Sequence, residues 1–171
     1  SARWVTELLS LSYFSYYLMF PATLIPLLAV RRNKLIQEIL TASLITFAVS
    51  FNLFWFFPLE GPRWHFSDVY IHDITGAVFR PLVDFVITKG AVHGGCMPST
   101  HTGVALVVLV YLFREYRTWF WAGLPLVVGI GAGAVYGRFH YITDIIVGAA
   151  IAALCVWFTI RCYPRWTARS E

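Results

Sequence analysis

Three short stretches hold most of the residues able to do chemistry: Gly61-Pro62-Arg63, Gly94-Gly95-Cys96-Met97-Pro98-Ser99-Thr100-His101, and Gly137-Arg138-Phe139-His140-Tyr141-Ile142-Thr143-Asp144. His140 and Asp144 are four positions apart, which on a helix puts them on one face, about one turn apart. A carboxylate that accepts a hydrogen bond from one imidazole nitrogen fixes the tautomer and leaves the other nitrogen free to attack. Asp144 is followed by Ile145, Ile146 and Val147, so it sits just inside an apolar run, where an acidic residue is costly and needs a partner. Arg63 and Arg138 carry planar guanidinium forks that match phosphate oxygens. Ser99 suits a helix N-cap. A helix starting beside it would offer unpaired N–H groups and a positive dipole end to an anion, with His101 in its first turn. The chemistry these types suggest is binding and breaking a phosphate ester.

Each piece also has a plainer reading. Ser99 and His101 could belong to an ordinary capped helix, and His140 and Asp144 could be a structural pair closing a helix end. Arg63 could snorkel to headgroups, and Arg138 could anchor a turn. Each is plausible singly; all of them together, at one end of a helix bundle, are not. His65, Asp68, His72, Asp73 and His93 are adequate zinc ligands by type, but their spacing closes no metal pattern, and solvated loop residues are the better reading. Lys89 and Arg80 could attract an anionic headgroup or be plain surface charge. Three cysteines are too few for a disulfide framework, and Cys96 reads as a small packing residue. No cofactor is implied.

The elements that must position these residues are membrane helices. The chain has 171 residues, 58% apolar and only 13% charged, where a soluble domain carries about 25% charged residues. Five windows approach the ~20 apolar residues a span requires: roughly Leu8–Val30, Leu35–Phe57, Thr102–Phe113 extended backward into the preceding loop, Trp119–Tyr136 and Ile142–Arg161. The spacing predicts one short helix around Val78–Thr88 within the long connection Pro58–Met97. The expected fold is therefore all-α, a polytopic transmembrane helical bundle of about five spans forming a single domain over residues 1–171. The first window lacks the basic flank and small-residue cleavage site of a signal peptide.

Charge orients the bundle. Arg31, Arg32 and Lys34 follow the first window, Arg114 and Arg117 the third, and Arg161, Arg165 and Arg169 the fifth; together they are eight of the thirteen basic residues. With five spans these clusters fall on one side, which the positive-inside rule makes cytoplasmic. The +4 net charge thus reads as orientation rather than as a nucleic-acid surface. All three chemical stretches then lie at the outer ends of helices, with residues 58–97 as an extracytoplasmic active-site loop.

Pro98-Ser99-Thr100-His101 followed by His140-x-x-x-Asp144 resembles the type 2 phosphatidic acid phosphatase (PAP2) superfamily, which shares its active site with vanadium haloperoxidases. Gly61-Pro62-Arg63, and Arg138-Phe139-His140-Tyr141 with Asp144, look most like its inositol-phosphorylceramide-synthase-like branch. The resemblance implies that His140 is the nucleophile, that Asp144 orients it, and that His101 is the general acid. It implies that Arg63, Arg138, Ser99 and the backbone at Thr100 hold the phosphate, with no metal. Three positions depart from the commonest family pattern: Phe56 stands for a lysine, Thr100 for a glycine and Ala134 for an arginine. Two phosphate-binding cations are thus missing from their usual places; Arg138 is the expected substitute for one, and Lys89 or Arg80 for the other. The family core has six spans with the first motif after the third. Here that motif follows the second, so one N-terminal helix is expected to be absent.

The function expected is hydrolysis of a lipid phosphate monoester through a phosphohistidine intermediate, at a site facing the periplasm of a bacterial inner membrane. The partners implied are the lipid phosphate and membrane lipids. The competing readings are a lipid phosphotransferase moving a phospho-headgroup to an alcohol, and a non-catalytic transport or scaffold protein. Transporters carry polar groups near mid-span; here Ser43, Thr46, Ser50 and Asn52 are mostly small hydroxyls suited to helix packing.

Overall fold

Lipid offers backbone N–H and C=O groups no partner, so apolar runs of this length fold as helices. The computed structural model describes residues 3–70 and 73–167, with side chains in the last helix described through Tyr163. Its helices are α1 (Arg3–Ala29), α2 (Asn33–Phe56), α3 (Pro62–His65), α4 (Phe79–Gly90), α5 (Thr100–Glu115), α6 (Arg117–Tyr136) and α7 (Ile142–Thr167). Among the described residues the only strand-like pairing is an isolated bridge between Leu59 and Gly95.

Helices α1, α2, α6 and α7 are long and apolar enough to cross a membrane, so the chain is an integral membrane protein. Large apolar side chains such as Leu18, Ile25, Leu44, Trp55, Ile146 and Leu154 face outward, as suits a lipid solvent.

The expected third span differs. It does not extend back into the preceding loop: α5 starts at Thr100 and has 16 residues. At ~1.5 Å per residue it is about 24 Å long, short of a ~30 Å hydrocarbon core. The Ser99 N–H donates to the Asp144 carbonyl (2.9 Å), which ties the chain to the start of α7. Helix α5 is the axis of the bundle, packed against α1, α2, α6 and α7. Val104, Ala105, Val107 and Val108 are wholly buried, so protein rather than lipid sets its length. A Cβ on Gly148 would lie 2.5 Å from the Ser99 carbonyl oxygen; only glycine lets α7 approach the start of α5 this closely.

The two ends of the bundle are built differently. At one end Arg32 pairs with Glu115 (2.5 Å), Arg114 with Glu38 (3.8 Å), and the Tyr163 hydroxyl donates to Gln37. These contacts gather the helix ends near Arg31, Arg32, Arg114 and Arg161. At the other end Glu7 of α1 accepts N–H bonds from Ala77 (2.6 Å), Val78 (3.2 Å) and Phe79 (2.9 Å), capping α4 from a distance in sequence. Helix α4 is the short helix expected around Val78–Thr88, displaced by one or two residues. The Leu59 N–H donates to Gly94 O, and the Cys96 N–H to Leu59 O. The loop after α2 is thereby laced to the loop before α5.

Candidate active site

All three chemical stretches meet at this second end. Arg63 enters on α3, whose first turn follows Gly61. A Cβ on Gly61 would stand 2.8 Å from the Phe139 carbonyl oxygen and 3.4 Å from Cys96 Sγ, so a larger residue would push the Arg63 loop off the other two. Thr100 and His101 open α5. His140 lies before α7 rather than on it, yet its Nδ1 is 3.4 Å from Asp144 Oδ2. The pair therefore forms across a turn into the helix, where the same Oδ2 accepts the Tyr141 N–H (2.7 Å). Asp144 is 2% exposed and His140 is also buried. The backbone N–H groups of Phe139 and His140 both donate to Ala134 O (2.9 and 3.2 Å), which fixes the turn that presents the imidazole.

A cavity of about 630 Å³ lies over this group, lined by Arg63, Thr100, His101 and His140. The two histidine rings are 6.4 Å apart, centroid to centroid. No ion-pair partner for Arg63 occurs among the described residues. Among the described residues three buried hydroxyls lack a hydrogen-bond partner, those of Ser43, Thr100 and Tyr111, and of these Thr100 alone lines the cavity. Buried polar groups are nearly always satisfied, so an orphaned hydroxyl on a cavity wall beside an unpaired guanidinium marks a place for an acceptor-rich ligand.

The other expected site residues are placed apart from the cavity lining. Ser99 occupies the N-cap position but makes no side-chain cap bond; its wholly buried hydroxyl pairs with Thr102 (3.1 Å). Arg138, at φ 65°, stacks over the Tyr70 ring at 3.7 Å. Arg80 is buried and grips Asp84 through two hydrogen bonds (2.8 and 2.9 Å) over the Phe139 ring. Lys89 is exposed in the last turn of α4, while Val86, Ile87 and Gly90 of that helix line the cavity. The loop residues do not gather as a metal set. His93 stacks on Trp64 and approaches Glu60 (3.4 Å), His65 lies against Phe66, and Asp68 accepts from Ser67 (3.3 Å). Asp73 is exposed, and His72 falls outside the described residues.

Two features escaped the sequence reading. Tyr13, Tyr16 and Tyr17 of α1 enclose His101, with ring centroids at 5.3, 4.5 and 6.0 Å, and the Tyr17 hydroxyl is 3.5 Å from His101 Nε2. Their spacing at i, i+3 and i+4 on one helical face was the available signal. Cys96, read as packing, donates its thiol to Asp144 Oδ2 at 2.9 Å; nothing in its spacing announces that.

Cys96 Sγ, His140 Nδ1 and Asp144 Oδ2 lie within 4.8 Å of one another, a grouping that could hold a metal ion. Sulfur and oxygen ligands on tetrahedral zinc would stand about 3.5 Å apart. The 2.9 Å separation here fits a thiol–carboxylate hydrogen bond better. Burial, then the bond to Asp144, pushes the Cys96 thiol up to about 12, so at neutral pH it keeps its proton and acts as a donor.

The motif order and its convergence on one cavity agree with a family model described as the PAP2 superfamily, which matches residues 1–158. The chain belongs to the PAP2 superfamily. No curated protein and no solved structure matches it. Within this PAP2 chain, two of the three departures from the common pattern have clear structural settings. Phe56 is largely exposed at the end of α2. Ala134 is wholly buried, and its carbonyl supports His140.

Proposed function

We propose that this PAP2 protein hydrolyses a lipid phosphate monoester through a phosphohistidine intermediate. The observation that carries the reading is the convergence of His140, His101, Arg63 and the unpartnered Thr100 hydroxyl on one cavity. Asp144 beside Nδ1 holds the proton there and leaves the Nε2 lone pair for attack on phosphorus. As the N–P bond forms and the ester P–O bond breaks, His101, which takes up the proton of the incoming ester monoanion, gives it to the leaving alkoxide. Water, deprotonated by His101, then attacks phosphorus; the N–P bond breaks and inorganic phosphate leaves. Arg63, the Thr100 hydroxyl and the N–H groups opening α5 stabilise charge on the equatorial oxygens, which is where catalysis of phosphoryl transfer mainly lies. Arg138 would join them only by leaving Tyr70.

A lipid substrate is supported by the cavity walls. Phe47, Phe51, Phe54 and Trp55 of α2 face the tyrosines of α1 across the cavity, and Phe51 and Trp55 are also exposed on the outside of the bundle. An acyl or prenyl chain could lie there while its phosphate reaches the histidines. The basic clusters at the opposite end favour an extracytoplasmic site by the positive-inside rule; in a bacterial inner membrane that is the periplasmic side.

The test is an assay of purified protein on lipid phosphate monoesters and diesters in detergent micelles, with EDTA present. Free phosphate from a monoester, abolished in His140→Ala, is the expected result. Turnover undiminished in His140→Ala would remove the nucleophile assignment. A new lipid phosphodiester in place of free phosphate would turn the reading into phosphotransfer.

A further inference from the structure

Cys96 lies in none of the roles above, yet it touches all three chemical stretches. Its N–H donates to Leu59 O (3.2 Å), on the strand of loop that leads to Arg63. Gly61 packs against its sulfur. Three donors face Asp144 Oδ2: the Tyr141 N–H at 2.7 Å, the Cys96 thiol at 2.9 Å and His140 Nδ1 at 3.4 Å. The imidazole is the most distant of the three. The amide and the thiol therefore set where the carboxylate stands, and the imidazole takes its orientation from that position. Buried at 3% exposure, the thiol has no water to compete with it.

We propose that Cys96 is a positioning residue of the site: its thiol fixes the Asp144 carboxylate, and through it the attacking geometry of His140. It also transmits the position of the Arg63 loop to the His–Asp pair. This rests on the roles proposed above for His140 and Asp144. The Cys96 proton is retained at neutral pH because burial and the neighbouring carboxylate both disfavour thiolate. Removing the thiol leaves Oδ2 with the Tyr141 N–H and the imidazole alone and loosens the carboxylate that orients His140.

The experiment compares Cys96→Ala with Cys96→Ser. Alanine should lower kcat by about 10–100-fold, the usual cost of removing a group that orients a reacting residue, and leave KM nearly unchanged. Serine, which keeps a hydroxyl donor, should recover most of the loss. A packing role predicts otherwise: alanine with wild-type kcat, or serine no better than alanine, overturns the proposal. A second readout needs no turnover. The infrared S–H stretching band of Cys96, isolated as the difference between wild type and Cys96→Ser, should lie below that of a free thiol and rise in Asp144→Ala. A free-thiol band in the wild type overturns the proposal even if Cys96→Ala fails to fold. If no phosphate ester is turned over but the band behaves as expected, the phosphatase reading fails and the thiol–carboxylate link stands.

Discussion

The two ends of this bundle use similar residues to opposite effect. At the basic end, Arg32 in the turn before α2 and Gln37, Glu38, Arg114, Glu115 and Tyr163 pair across α2, α5 and α7. At the other end, Arg63 has no ion-pair partner among the described residues, and the Thr100 hydroxyl is buried without one. The first end is a set of completed ion pairs, with the buried Tyr111 hydroxyl near Arg114 left without a hydrogen-bond partner among the described residues. The second is incomplete until an anion enters, and incompleteness of this kind costs stability that only a ligand returns. A count of charges would rank the first end as the more interesting. Unmet hydrogen-bonding capacity on the wall of a cavity, at Arg63 and Thr100, picks out the second.

Perturbing each end should separate them. The largest effect belongs to His140→Ala, which should abolish phosphate release while leaving the protein folded, as checked by gel filtration and circular dichroism. Next is Arg63→Ala. Loss of one preorganised donor to a developing charge lowers kcat by about 10²–10³-fold, and phosphate or vanadate should inhibit the variant less well. Thr100→Val should split the two properties: weaker substrate binding, by about 10-fold, together with a melting temperature equal to or above wild type, because a buried unsatisfied hydroxyl is removed. A Thr100→Val protein that is plainly less stable would mean the hydroxyl has an unseen structural partner. The smallest effect is expected at the opposite end. The Arg32–Glu115 pair is partly exposed, at 46% and 33%, so Arg32→Ala should cost at most about 1 kcal/mol of stability and leave turnover unchanged. Lost turnover in Arg32→Ala would show that the ends are coupled through α5.

Much of this was legible in the residues alone. The windows later seen as α1, α2, α6 and α7 were readable because lipid imposes length and apolarity on each span independently of its neighbours. The pairing of His140 with Asp144 was readable because it is local. The length of α5 was not, because that helix is wrapped by its neighbours and obeys their packing. Arg138 shows the same limit. Its type and place beside His140 suggest a phosphate ligand, but a positive φ and the Tyr70 ring send its guanidinium elsewhere. Arg80 is likewise taken by Asp84 one helical turn away, a pairing that i, i+4 spacing could have shown.

Composition and spacing determined the solvent, the helices, the motif chemistry and the local His–Asp contact, since each depends on a few consecutive residues meeting a uniform environment. Which cations face the cavity, which unsatisfied hydroxyl lines it, and that a cysteine bonds the carboxylate were decided only when helices distant in the chain packed together. Those facts depend on where a side chain's nearest long-range neighbours fall, and no spacing within one segment encodes that.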